Sequence, residues 1–356
     1  MQLKYTKPNS RESNKIEKKK REFNYGLAFL KYYLAFLVVI GHNFNKKSTK
    51  NKLILTITKH NIPHVPSFFI ISFYLTCNNL LSTNLKIFFK RLERLLIPYI
   101  IWPITIWIIN HIVNISKNHS FIYRAKHLQL QLLYGHVYMP QFWFLWDLII
   151  ITIIFYIIVI IFKNNSLFIF HILLILSYLS QYSGFGYKTF FLKFPYYKRY
   201  TFARLFGMIP CGTIGFTLGF YNIIHYFQKR KIKTLFFSIM IFNILNNYNI
   251  FVTQPAELYY GINRNINALC IIFIFSLFPY NNFKNEYLKK ILKLITNYSA
   301  GIFYLHISIK QFFIPYFEDV KNGTFFGVII NYLICYFICF CGMLIFGKTF
   351  IKYLFC

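Results

Sequence analysis

The chain has 356 residues, 56% of them hydrophobic and only 14% charged, with a mean hydropathy of +0.45. Soluble domains carry about 25% charged residues, so the composition argues against a cytosolic enzyme, a secreted disulfide scaffold or a disordered chain. Forty Lys and Arg face 9 Asp and Glu, a formal charge of +31; such a balance can mark nucleic-acid binding, but here long apolar runs alternate with short basic loops, the pattern of a polytopic membrane protein.

Residues 1–25 read as a basic cytoplasmic tail, with Lys4, Lys7, Arg11, Lys15, Lys18, Lys19, Lys20 and Arg21. Such a tail favours an anionic inner leaflet. The apolar run from Gly26 to His42 follows. A basic stretch before a short apolar run resembles a signal peptide. The basic region is long, however, and Asn43-Phe44-Asn45-Lys46-Lys47 offers no small-residue cleavage site. The run therefore reads as an uncleaved first transmembrane helix.

Nine further apolar stretches follow at roughly 66–82, 95–116, 141–162, 166–180, 203–221, 234–250, 266–279, 295–315 and 325–347. A membrane span needs about 20 residues; 166–180 and 266–279 are the weakest and are candidates for re-entrant segments. The expected architecture is an all-α, polytopic integral membrane bundle of about ten transmembrane helices. It forms one membrane-embedded domain over 26–356, with both termini cytoplasmic. That orientation puts 23 of the 40 Lys and Arg on inner segments and 14 on outer ones, in the sense of the positive-inside rule.

The seven cysteines, Cys77, Cys211, Cys270, Cys335, Cys339, Cys341 and Cys356, include no CxxC pair. They read as small core or lipid-facing residues rather than as disulfides or metal ligands. No Gly-rich nucleotide loop, no HExxH pattern and no soluble catalytic domain is visible. An active site would have to be built by helices and short loops at the membrane.

Ionisable residues inside spans are costly and are functional candidates by default. Here they are Lys31, His42, Asp147, His171, Arg204, His306 and Lys310. Lys31 and His42 are eleven residues apart, which on a helix is three turns plus about 20° and about 16 Å along the axis. Both therefore lie on one stripe. Either Lys31 snorkels to the inner interface and His42 merely ends the helix, or the stripe is functional. Lys90, Arg91 and Arg94 precede the third span, with the two arginines at i, i+3. They are either positive-inside anchors or a phosphate-binding pair, since guanidinium groups suit phosphate bidentately. Trp143 and Asp147 open the fourth span. Asp147 either pairs with Arg204 or Lys310 or orients a histidine. His306 lies well inside the ninth span, where a core histidine bonded to a carbonyl is the plain alternative to a catalytic one.

Together these segments resemble acyltransferase family 3, the integral-membrane family that includes capsular and surface-polysaccharide O-acetyltransferases. The first helix matches a basic residue, ten-residue gap, His pattern as Lys31…Val38-Val39-Ile40-Gly41-His42. The second matches Pro-x-Phe-Phe-x-x-Ser-Gly-Tyr/Phe-Leu as Pro66-Ser67-Phe68-Phe69-Ile70-Ile71-Ser72-Phe73-Tyr74-Leu75. The third matches Lys-Arg-x-x-Arg-Leu-x-x-Pro-Tyr from Lys90 to Tyr99, and the last matches Gly-Ile-Tyr-x-x-His as Gly301 to His306. Trp143-Phe144-Leu145 and the segment from Arg204 through Gly215 also fit. Two positions depart: the first-helix cation, commonly Arg, is Lys31, and the Gly of Ser-Gly is Phe73.

The resemblance implies a multi-pass protein of the bacterial cytoplasmic membrane that transfers an acyl group, acetyl by default, from cytoplasmic acyl-CoA to a hydroxyl of a surface glycan or its lipid-linked precursor. The catalytic residues would be His42 and Lys31. The acyl-CoA site would be Lys90, Arg91 and Arg94, and Ser72, Trp143, Asp147, Arg204 and His306 would serve acceptor binding or support. Acyl-CoA would be a co-substrate. No bound cofactor, metal or nucleic acid is expected; the partners would be a carbohydrate acceptor, the lipid bilayer and glycan-assembly proteins. The rival reading is a polysaccharide translocase of the same family without acyl transfer.

Overall fold

The computed structural model describes residues 25–44, 64–113, 121–135, 140–182, 196–251, 262–277, 286–313, 317–347 and 353–354; the basic tail before Tyr25 and Cys356 lie outside them. Every expected apolar stretch is mainly helical over its described residues, and the described residues contain no strand. The helices, in order, are α1 Tyr25–Asn43, α2 His64–Leu81, α3 Leu85–Val113, α4 Phe121–Tyr134, α5 Trp143–Phe162, α6 Ser166–Tyr182 and α7 Tyr196–Phe220. They continue with α8 Ile223–Gln228, α9 Lys231–Phe251, α10 Ile262–Ser276, α11 Glu286–Asn297, α12 Ser299–Phe313, α13 Glu318–Asn322 and α14 Phe325–Phe346.

Three features differ from the expectation. The third stretch starts ten residues early, so that Lys90, Arg91 and Arg94 stand on α3 rather than in a loop, and Pro98 and Pro103 lie within that helix. The 295–315 stretch is broken at Tyr298. Before the break, α11 alternates Lys289, Lys290 and Lys293 with Ile291, Leu292 and Ile295, an amphipathic helix packed against α1. Among the described residues four helices are long and apolar enough to cross a membrane: α1, the Leu85–Ile109 part of α3, α5 and α14. The weak stretches α6 and α10 have 17 and 15 residues, short of the usual span.

The middle of the bundle is α1. It packs against α2, α10, α11, α12 and α14, and Leu30, Leu34, Ala35 and Val39 have no exposure. Apolar burial between helices is weak glue in lipid, so close backbone approach matters more there. One close approach joins α2 to α7. A methyl group at Gly215 would stand 2.3 Å from the carbonyl oxygen of Ile70, and one at Gly219 would stand 2.5 Å from Cβ of Cys77. Beside them Phe73, Phe155, Phe170 and Phe216 are fully buried, with ring centroids 4.5–4.9 Å apart along the chain of contacts. Phe73, where the family pattern has glycine, is accommodated by glycine on the facing helix: a Cβ at Gly212 would meet its ring at 3.3 Å.

This packing makes a graded prediction. Gly215→Ala drives a methyl into backbone and must part α2 from α7, a loss on the scale of overpacking, about 1–3 kcal/mol. Gly212→Ala meets only side-chain atoms at 3.2–3.3 Å and should cost less. Thermal unfolding in mild detergent should rank wild type, Gly212→Ala and Gly215→Ala in falling order; equal midpoints would refute the tight α2–α7 seam.

Candidate active site

The last turn of α1 brings His42 to α12, where its ring centroid lies 5.3 Å from that of His306. His42 is exposed at the helix end, whereas His306 has no exposure. A ring nitrogen facing a carbonyl oxygen must carry the hydrogen, and His306 Nδ1 lies 2.7 Å from the Phe303 carbonyl. In the neutral imidazole the lone pair therefore sits on Nε2. Nε2 is buried and has no hydrogen-bond partner among the described residues. Asn331 on α14 donates to the His306 carbonyl at 2.9 Å. Gln141, just before α5, donates to the Tyr304 carbonyl at 3.3 Å and leaves its own Oε1 buried and unpaired among the described residues. The side-chain amide of Asn43 is likewise buried and unpaired among them. One turn beyond His306, Lys310 donates from Nζ to the His42 carbonyl at 3.1 Å. This end of the bundle thus gathers two imidazoles, an ammonium and several polar atoms that bond to no described residue. Buried polar groups are normally paired, so the gathering is what a hydroxyl-rich ligand would complete.

A second cluster lies deeper. Arg91 turns inward from α3, donating from Nη2 to Ser72 Oγ at 3.2 Å and from Nε and Nη2 to Thr152 Oγ1 at 3.3 Å each. Its guanidinium lies 5.4 Å from the Phe73 ring centroid. Ser72 and Thr152 stand near the midpoints of α2 and α5, so this charge sits at mid-height in the bundle. It bonds to hydroxyls and to no carboxylate among the described residues. A guanidinium held in place by neutral groups keeps its charge available for an anion or a carbonyl. Arg94, although only three residues on, is exposed and lies 5.6 Å from the Tyr353 ring, and Lys90 is exposed as well. The pair expected to share one phosphate-facing surface is therefore split between the interior and the outside. Lys31 is partly buried on α1 and makes no hydrogen bond or ion pair with a described residue.

The third group pairs Asp147 with Arg204. Its carboxylate takes both arms of Arg204, Nε to Oδ2 at 2.8 Å and Nη2 to Oδ1 at 2.9 Å. Asp147 has no exposure and Arg204 3%. The guanidinium also lies 4.9 Å from the Trp143 ring and donates to the Tyr134 carbonyl at 3.4 Å. Asp147 thus ties α5 to α7, and no hydrogen bond joins it to a described histidine. His171, half-buried, bonds through Nδ1 to the Leu167 carbonyl in its own helix at 2.7 Å, a structural role.

A family model described as an acyltransferase domain, that of acyltransferase family 3, matches residues 24–348. The chain belongs to acyltransferase family 3. No curated protein and no solved structure matches it. As a membrane acyltransferase of this family, the chain has its sequence landmarks sorted by the fold. The first and last motifs meet as the His42–His306 pair. The second and third motifs meet where Ser72 holds Arg91. The aromatic residues Phe68, Phe144 and Phe303 join the two places: Phe303 lies 5.1 Å from Phe144, 6.2 Å from Phe68 and 6.0 Å from His306, and Phe68 is one turn from Ser72 on α2.

Sequence reasoning assigned no role to Thr152, Gln141 or Asn331, and offered Lys310 only as an intramembrane charge and a candidate partner of Asp147. Thr152 and Asn331 are single polar residues inside apolar runs, and that was the available signal. Lys310 stood among the intramembrane charges, but nothing in the sequence pointed it at His42. Among the described residues no group of three His, Cys, Asp or Glu is placed to hold a metal, and Cys77, Cys211, Cys270, Cys335, Cys339 and Cys341 form no disulfide with one another.

Proposed function

We propose that this protein is a multi-pass O-acyltransferase of the bacterial cytoplasmic membrane. It would move an acyl group, acetyl by default, from cytoplasmic acyl-CoA to a hydroxyl of a surface glycan or its lipid-linked precursor, alone or with glycan-assembly partners. The observation that carries the reading is the meeting of His42 with His306 at one end of the bundle, above a guanidinium that no described carboxylate neutralises. The proposed topology is ten helical passes with both termini in the cytoplasm.

In this reading the donor's phosphates meet Lys90 and Arg94 at the cytoplasmic mouth. Arg91, deeper, binds a polar group of the donor arm. Lys31, on the His42 stripe of α1 and about 16 Å below it, guides that arm toward the histidines. At His42 the acceptor hydroxyl loses its proton to the imidazole as its oxygen attacks the thioester carbonyl, ordinary general-base work. The carbon–oxygen bond forms and the carbonyl electrons move onto oxygen. On collapse the carbon–sulfur bond breaks, and the leaving thiolate takes the proton back from His42. The products are an ester and a free thiol. His306 Nε2, an acceptor without a described partner, orients the incoming hydroxyl. Ser72 and Trp143 serve indirectly, one by holding Arg91 and the other by packing on Arg204.

The test uses membranes that contain the chain, with empty membranes as the control. They are incubated with acetyl-labelled CoA and extracted cell-surface glycan, and alkali-labile label in the glycan is counted. Label above the control is expected. No label with acetyl-, succinyl- or longer acyl-CoA would shift the reading to a translocase without acyl transfer.

A further inference from the structure

We infer that Lys310 is the oxyanion-stabilising cation of this site, an inference that rests on the acyl-transfer reading above. Acyl transfer builds negative charge on the former carbonyl oxygen, and such sites need a donor or cation aimed at it. Lys31 shares a helix face with His42 but stands about 16 Å away along the axis, too far to touch the reacting carbonyl. Arg91 sits at mid-height between Ser72 and Thr152, and Arg204 is consumed by Asp147 at 2.8 and 2.9 Å. Lys310 Nζ is instead 3.1 Å from the His42 carbonyl oxygen, and it pairs with no carboxylate among the described residues.

Two features of α12 place it there. His306 and Lys310 are four residues apart, so they share a face about 6 Å apart along the axis, and that face meets the end of α1. The last carbonyls of any α-helix lack intrahelical partners and carry the negative end of its dipole. The His42 carbonyl is one of these, and it draws the ammonium of Lys310 across from α12. An ammonium has three N–H groups. The His42 carbonyl takes one, and no other described residue takes the remaining two. A thioester carbonyl held over the His42 ring comes within reach of those two donors. When the acceptor oxygen adds, the electron pair pushed onto the carbonyl oxygen is met by Lys310. His42 holds the proton until the carbon–sulfur bond breaks and the thiolate takes it. Lys310 keeps its own protons throughout.

The alternative is that Lys310 only caps α1, and three substitutions separate the two. Lys310→Gln keeps an N–H donor for the carbonyl and loses the charge. Lys310→Arg keeps both, and Lys310→Met loses both. Each is assayed with wild type for kcat and for KM toward acetyl-CoA, and each is melted in detergent to confirm folding. The expected result is a kcat loss of about a hundredfold in both Gln and Met variants, KM within about threefold, and at least a tenth of wild-type kcat in Arg. A Gln variant as fast as wild type would reduce Lys310 to a cap and overturn the inference. So would losses confined to KM, or Arg as slow as Met. A wild-type chain that transfers no acyl group would remove the function reading itself, and this inference with it; the wild-type rate tells the two failures apart.

Discussion

His42→Ala should abolish acyl transfer while leaving the bundle folded. General-base catalysis by a placed histidine contributes about 10²–10⁴-fold, and the loss should appear in kcat. His42 is exposed in the last turn of α1 and its ring makes no hydrogen bond to a described residue, so truncation removes chemistry and little packing. The carbonyl that receives Lys310 belongs to the backbone and survives the substitution. The contrasting variant is His306→Ala, whose ring is fully buried and bonded to Phe303 at 2.7 Å. That change should lower both activity and melting temperature. Transfer by His42→Ala at the wild-type rate, in a chain with wild-type melting, would take His42 out of the mechanism.

Asp147→Ala should do the reverse, damaging stability first. Removing one partner of a buried ion pair leaves the other charge without compensation, at about 3–5 kcal/mol. Here the stranded group would be Arg204, 3% exposed, between Trp143 and the Tyr134 carbonyl. A double-mutant cycle with Arg204→Met is the measurement. The double variant should be more stable than the sum of the single losses predicts, because no charge is left unpaired. If Asp147→Ala instead melted like wild type and lost only kcat, the carboxylate would be serving the reaction and not the α5–α7 tie.

Much of the fold was legible because a bilayer imposes few solutions: apolar runs must be helices, and every run read as a span is mainly helical over its described residues. What periodicity could not reveal was where helices break or begin. Tyr298 splits one run into α11, which leaves Lys290 and Lys293 exposed, and α12, whose residues from Gly301 to His306 are buried. The Lys90–Arg94 segment is helical because nothing between Leu85 and Pro98 stops it. The site was legible in part. The Lys31–His42 spacing and the arginine pair could be seen along the chain. The meeting of His42 with His306, and the turn of Arg91 toward Thr152, depend on contacts between residues 264 and 61 positions apart. Asp147 had two candidate cations in the sequence, Arg204 and Lys310, and only packing decided between them. Lys310 went to the end of α1 instead.

The central claim is that a donor entering at the Lys90–Arg94 end is used at the His42 end. It is tested most directly in reconstituted vesicles sorted by the orientation of the chain, with glycan acceptor enclosed and acetyl-labelled CoA added outside. Label should enter the enclosed glycan when the Lys90–Arg94 face is outward, and His42→Ala vesicles should show none. Equal labelling in both orientations, or labelling only with the His42 end outward, would contradict the two-ended site.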